Sequence, residues 1–134
     1  MKYSLLIPII YLASCMNTSK EEFKPVYDEA SLRTFVLGTP SLNETRALDS
    51  LDRILVNASK DSVLFRQTIS YLLEPFSNPN SSYRNQRLYT KILETAIDSK
   101  WYNINEKEKA KDRLALSRQN NIGSAANDFT YTTS

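Results

Sequence analysis

Between Leu88 and Ile97 the apolar residues come in adjacent pairs four apart: Leu88-Tyr89, Ile92-Leu93 and Ala96-Ile97. Pairs at that spacing return to one side of an α-helix, because about 3.6 residues complete a turn. The stripe they form is wide enough to touch two neighbouring helices, so the rest of the chain has to supply them. Arg84, Arg87, Lys91 and Glu94 occupy the remaining positions. The composition suits such a fold. Only two glycines occur in 134 residues, and 41% of residues are hydrophobic, enough for one modest core.

The neighbouring segments read as further helices. Upstream of the stripe, Pro75 and Pro79 stiffen the connection and Asn78 and Asn80 are turn residues, with either Asn80 or Ser82 as the helix cap. Downstream, Trp101-Tyr102 closes the helix and covers one end of the core. Asp61 caps a preceding helix whose buried face is Phe65, Ile69, Leu72 and Leu73, widened by Val63, Leu64 and Tyr71; Pro75 ends or bends it. Before that, Ser41-Leu42-Asn43-Glu44 reads as a capping box, followed by Leu48, Leu51, Leu55 and Ala58 on one face. Residues 25–37 fit a short helix with Tyr27, Ala30, Leu32 and Phe35 to one side, stopped by Gly38 and turned by Thr39-Pro40. The last helix begins at Asn105, with Glu106 and Glu108 in its first turn. Its apolar side is thin (Ala110, Leu114, Leu116), which makes it the most exposed. The expected fold is an all-α bundle of four to five helices, consecutive ones antiparallel.

The N-terminus differs in character. Met1-Lys2 precedes an apolar run from Tyr3 to Leu12, shorter than the ~20 residues a stable membrane span takes and suited to an export signal. Leu12-Ala13-Ser14-Cys15 follows, and resembles a bacterial lipobox. That resemblance implies cleavage after residue 14 and acylation of Cys15, so that membrane lipid becomes a partner through the acyl chains. Residues 15–24 are polar and read as a tether, and residues 25–119 as the helical domain. Lys20-Glu21-Glu22 loosely resembles the acidic signal that sends some Bacteroidota lipoproteins to the cell surface.

Little chemistry is available to this composition. Histidine is absent and Cys15 is the single cysteine, which removes Ser-His-Asp and Cys-His catalysis, an internal disulfide, and the usual zinc ligands. Gly38 and Gly123 alone cannot build a phosphate loop. The net charge of +2 is spread along the chain, which argues against nucleic acid as a partner. Glu44, Asp49 and Asp52 share a helix and could hold a hard cation, but a solvated face explains them better. Asn-x-Ser/Thr triplets at Asn17, Asn43, Asn57 and Asn80, and Asp-Ser-apolar triplets at Asp49 and Asp61, are weak glycosylation signals. Arg84, Asn85 and Tyr89 are the candidate binding residues, since Arg can receive a carboxylate bidentately. The competing reading is structural: Arg84 ties the Asn-rich turn to the helix while Asn85 satisfies backbone groups. No enzyme activity, cofactor or metal is expected of these residues.

After residue 119 the pattern breaks. Asn120 to Asn127 leads into Asp128-Phe129-Thr130-Tyr131-Thr132-Thr133-Ser134, which alternates as a β-strand does. A lone strand has no partner for its backbone groups, so residues 120–134 read as a linker and the first strand of a truncated second domain. Gly123 with small residues and then Asp128-Phe129-Thr130-Tyr131 resembles the start of a thioredoxin-like domain of the peroxiredoxin/TlpA kind. Pro79-Asn80-Ser81, Arg84-Asn85 and Leu88-Tyr89 resemble a helical domain of unknown function that precedes such modules in Bacteroidota lipoproteins. The similarity covers roughly residues 48–133. The chain departs from that family at Ser82, Gln86 and Arg87, where proline and acidic residues are usual, so a ligand site shared with the family on that face is in doubt.

The resemblance implies a lipid-anchored accessory domain of an envelope thiol–disulfide protein, in the outer membrane on its periplasmic face or at the cell surface, with an envelope protein as client. Its CxxC would lie beyond Ser134. A stand-alone lipoprotein that binds a protein or ligand between its helices is the alternative.

Overall fold

Residues 28–119 are described by a computed structural model, in which five helices alternate in direction. They are α1 (Glu29–Gly38), α2 (Glu44–Ala58), α3 (Ser62–Ser77), α4 (Gln86–Asp98) and α5 (Ile104–Gln119), with a short 3₁₀ turn, Thr39–Ser41, between α1 and α2. The all-α expectation holds, with no strand among the described residues. The expected signal peptide, Cys15, the tether, Tyr27 and the C-terminal strand lie outside them.

The α4 stripe is the centre of the bundle, and it meets three helices: α2, α3 and α5. The pairs divide their work. Leu88, Ile92 and Ala96 join a core with Leu51 and Leu55 of α2 and Phe65, Ile69, Leu72 and Phe76 of α3. Leu93 turns to α5, where it packs with Ala110 and Leu114, and Tyr89 borders both clusters. Leu88, Ile92 and Leu93 are at most 1% exposed, so each contributes roughly 1.5–3 kcal/mol of burial. Charged residues flank the stripe and match its neighbours. Arg87 meets Glu44 and Lys91 meets Asp52 on the α2 side, at 2.7 and 3.1 Å, while Glu94 meets Arg118 of α5 at 3.3 Å. These pairs are exposed and set helix register more than stability.

Several expected caps and faces are corrected. Asn43, not Ser41, caps α2: its side chain accepts from the Arg46 N–H at 2.9 Å. Ser41 is held in the 3₁₀ turn Thr39–Ser41, which Pro40 favours, and an extended Leu42 carries the chain on to Asn43. Asn85, not Asn80 or Ser82, caps α4. The capping box lies instead at the start of α5, where Asn103 Oδ1 accepts from the Glu106 N–H and Glu106 Oε2 accepts from the Asn103 N–H. That helix therefore begins at Ile104 rather than Asn105. Asp61 caps α3 as expected, accepting from the N–H groups of Val63 and Leu64. Pro75 does not end α3, which runs to Ser77. Val63 faces solvent at 60% exposure, because the α3 face is set by Leu64, Phe65, Thr68, Ile69, Leu72 and Phe76. On α1, Val36 is buried beside Leu32 and Ala30 is exposed. On α5, Leu116 is 58% exposed and Ser117 takes the buried position.

Alternating direction sorts the turns to two ends. At one end, Asp28 and the Ser31 and Leu32 of α1 line a cleft with Asn57 and Ala58 of α2 and Leu64 of α3. There too the Trp101 indole N–H donates to the Ser59 carbonyl at 2.9 Å, joining the α2–α3 and α4–α5 turns. At the other end, the Gln86 side chain donates to the Ser117 carbonyl at 2.9 Å, and the end of α1 faces the α3–α4 turn. The chain thus enters the bundle at Asp28 and leaves it at Gln119 on opposite ends.

Candidate functional site

The α3–α4 connection, residues 78–85, is built by short-range polar bonds. The Asn78 amide donates to Glu74 Oε1 at 2.8 Å, and Asn78 Oδ1 accepts from the Asn80 N–H at 2.9 Å. Ser81 Oγ accepts from the Tyr83 N–H, and the Ser81 carbonyl from the Arg84 N–H. The Asn85 N–H then donates to the Phe76 carbonyl at 3.2 Å, which closes the loop back onto α3. A loop satisfied this way needs few glycines, in keeping with the composition.

The three candidate binding residues do not form one site. Asn85 Oδ1 accepts from the N–H groups of Arg87 and Leu88, both at 3.1 Å, so it is committed to the N-terminus of α4. The Tyr89 ring is half-buried against both core clusters. Arg84 is exposed, and its guanidinium makes no hydrogen bond or ion pair among the described residues. The structural reading holds for Asn85, whereas no Arg84 side-chain bond to the turn occurs among the described residues. Of the carboxylates considered for a cation, Glu44 and Asp52 are engaged by Arg87 and Lys91 across the α2–α4 contact.

Beside this loop lies a groove of about 550 Å³ between α1 and α3. Leu37, Tyr71, Pro75 and Tyr83 make its apolar walls, and Arg33 and Glu74 its charged rim. The volume is within the range of small-ligand pockets, and the lining mixes aromatic surface with a few polar groups as such pockets do. Periodicity alone points to Tyr71 as a core residue, and nothing local pairs it with Arg33, which sits on another helix.

A second cluster, centred on Arg66, was not legible in the sequence. Arg66 of α3 donates from both guanidinium arms to the Glu106 carboxylate and also reaches the Trp101 carbonyl. Its guanidinium also lies 5.5 Å from the centre of the Tyr102 ring, which packs edge-on against Phe65. The Arg66 bond holds the Glu106 carboxyl below its ordinary range, helped by the Asn103 N–H, and raises Arg66 in turn. Burial pushes the Tyr102 phenol up. The arrangement fastens the start of α5. Its sequence signals were Trp101-Tyr102, expected to cover a core end, and Glu106 near a helix start, which capping already explained; nothing pointed to Arg66.

A family model described as "Domain of unknown function (DUF5106)" matches residues 17–120. No curated protein and no solved structure matches the chain.

Proposed function

The chain belongs to the DUF5106 family, and we propose that it is a lipid-tethered helical spacer, a non-catalytic accessory domain. In this reading acyl chains on Cys15 hold one end in the envelope membrane. A thioredoxin-like domain following Ser134 is carried by the other end, where it meets envelope protein clients. One observation carries the proposal: the chain enters the bundle at Asp28 and leaves it at Gln119 on opposite ends. The helices of 13 to 16 residues in α2–α5 stand the two ends roughly 20–24 Å apart at about 1.5 Å per residue. The family match supports the same division, since it starts at residue 17, just after Cys15, and stops at residue 120, just after α5. Among the described residues no helix is long and apolar enough to cross a membrane.

Metabolic labelling with an alkynyl fatty acid tests the tether. Label on the wild-type chain and none on Cys15→Ser is the expected result; equal labelling of both would overturn it. Reading the gene beyond Ser134 tests the cargo. A frame carrying CxxC supports it, and an immediate stop codon rules it out.

The groove between α1 and α3 favours a second reading, a stand-alone lipoprotein that binds a ligand there. Arg33 and Glu74 on its rim and the tyrosine walls are the basis for it. Retention of an envelope partner by the wild-type chain, lost in Tyr83→Ala with folding intact, would support this reading. Equal retention by both would remove it.

A further inference from the structure

Resting on the lipid-tether reading, we propose that the end of the bundle where the chain enters is a membrane-contact face. It is formed by Val63, Trp101 and Ile104, and it lies against lipid headgroups and the first carbons of the acyl chains.

Two turns and one helix start meet at this end. The Trp101–Ser59 hydrogen bond and the Arg66–Trp101 bond bring the α2–α3 and α4–α5 turns together, and the cleft beside Asp28 adds the start of α1. Val63 and Ile104 stand in the first turns of α3 and α5, 60% and 70% exposed, among the largest exposures of any apolar side chain in the bundle. Neither has a role in the core. Trp101 is half-buried and its ring is fixed through its N–H, with Lys100 Nζ 4.5 Å from the ring centre. An amphipathic indole, branched aliphatic side chains and nearby lysines (Lys60, Lys100) form the set that settles at a membrane–water interface. Several carboxylates at this end are already engaged. Asp28 and Asp61 cap α1 and α3, and Glu106 is held by Asn103 and Arg66.

The point where the tether joins the bundle selects lipid as the occupant. Residues 16–27 join Cys15 to Asp28, about a dozen residues that span at most roughly 40 Å when fully extended. That leash starts at this end of the bundle, so Val63, Trp101 and Ile104 lie at the end next to the lipid attachment, and Gln119 lies a helix length away at the other end.

Trp101 is the only tryptophan, which makes it a clean reporter. The test takes the protein purified from the membrane fraction. It is reconstituted on vesicles of phosphatidylethanolamine and phosphatidylglycerol, with and without brominated acyl chains. Flotation with the vesicles reads the tether, and quenching of Trp101 emission by bromolipid reads the face. Flotation with quenching is expected. Val63→Asp with Ile104→Asp should remove the quenching while flotation and helical circular dichroism persist, and Leu116→Asp, exposed towards the far end, should leave it intact. Flotation without quenching overturns the face and leaves the tether standing. Quenching that survives the double substitution, or that Leu116→Asp also removes, overturns it as well. Failure to float overturns the tether, and the face with it.

Discussion

The Arg66 guanidinium holds both carboxylate oxygens of Glu106, so that α3 grips α5 at its first turn. Glu106 completes the capping box with Asn103 at the same time, and Arg66 reaches the Trp101 carbonyl. The helix with the thinnest apolar side is thus secured by polar contacts at its start and by Ala110 and Leu114 along its length.

Because these bonds share their atoms, their effects should couple. Glu106→Gln and Arg66→Met are each expected to lower the thermal midpoint. The double variant should lose less than the two single losses added together. Circular dichroism melts of the four proteins check this, and strictly additive losses would show that the pair acts through independent contacts.

Acid should loosen the same end. Glu106 is held below its ordinary carboxyl value of 4.5 by Arg66 and the Asn103 N–H, and Asp28 below 3.8 by Ser31. A depressed carboxyl contributes stability that is complete above its unfolded value and is lost as pH falls through its folded value. Stability should therefore be level in this respect from pH 7 to about 5 and decline below about 4.5. In Glu106→Gln that decline should be shallower; an unchanged acid limb in urea titrations would contradict the assignment.

The corrected caps can be separated from the expected ones. Asn43→Ala and Asn85→Ala should each cost about 1 kcal/mol, the usual loss for a helix cap. Ser41→Ala and Ser82→Ala should stay within about 0.5 kcal/mol, as exposed positions do. Urea unfolding resolves the difference, and a larger loss at Ser41 than at Asn43 would return the cap to Ser41.

Ile92 is fully buried where α4 meets the main core. Ile92→Ala should cost roughly 2–5 kcal/mol, whereas Leu116→Ala, on an exposed position, should fall within about 0.5 kcal/mol. Equal effects in chemical denaturation would mean that α5 buries Leu116.

Arg84→Ala should change stability by less than about 0.5 kcal/mol, since its side chain is bonded to nothing among the described residues. A loss above about 1 kcal/mol would reveal a bond that secures the turn. A change in partner retention at unchanged stability would make Arg84 a contact residue in its own right.

Helix identity and most buried faces were legible from periodicity, because α2, α3 and α4 each show a strong stripe. Caps were less so. Ser41 and Asn43, or Asn80 and Asn85, are equally good acceptors of a backbone N–H. The choice between them falls on loop geometry: Pro40 favours a 3₁₀ turn over Thr39–Ser41, and the Asn85 N–H is anchored to the Phe76 carbonyl. The candidate site fared worse. Arg84, Asn85 and Tyr89 are close in sequence, yet one is solvent-facing, one caps a helix and one lies half-buried against the core.

By itself the sequence determined an all-α bundle with α4 at its centre, since the spacing of Leu88 to Ile97 can bury its wide stripe only among several helices. Tertiary structure alone decided which polar groups meet. Arg66 lies far from Glu106 along the chain, as Trp101 does from Ser59, and no local pattern encodes such pairs. It also decided that the chain enters and leaves at opposite ends, because five alternating helices, an odd number, return it to the far side.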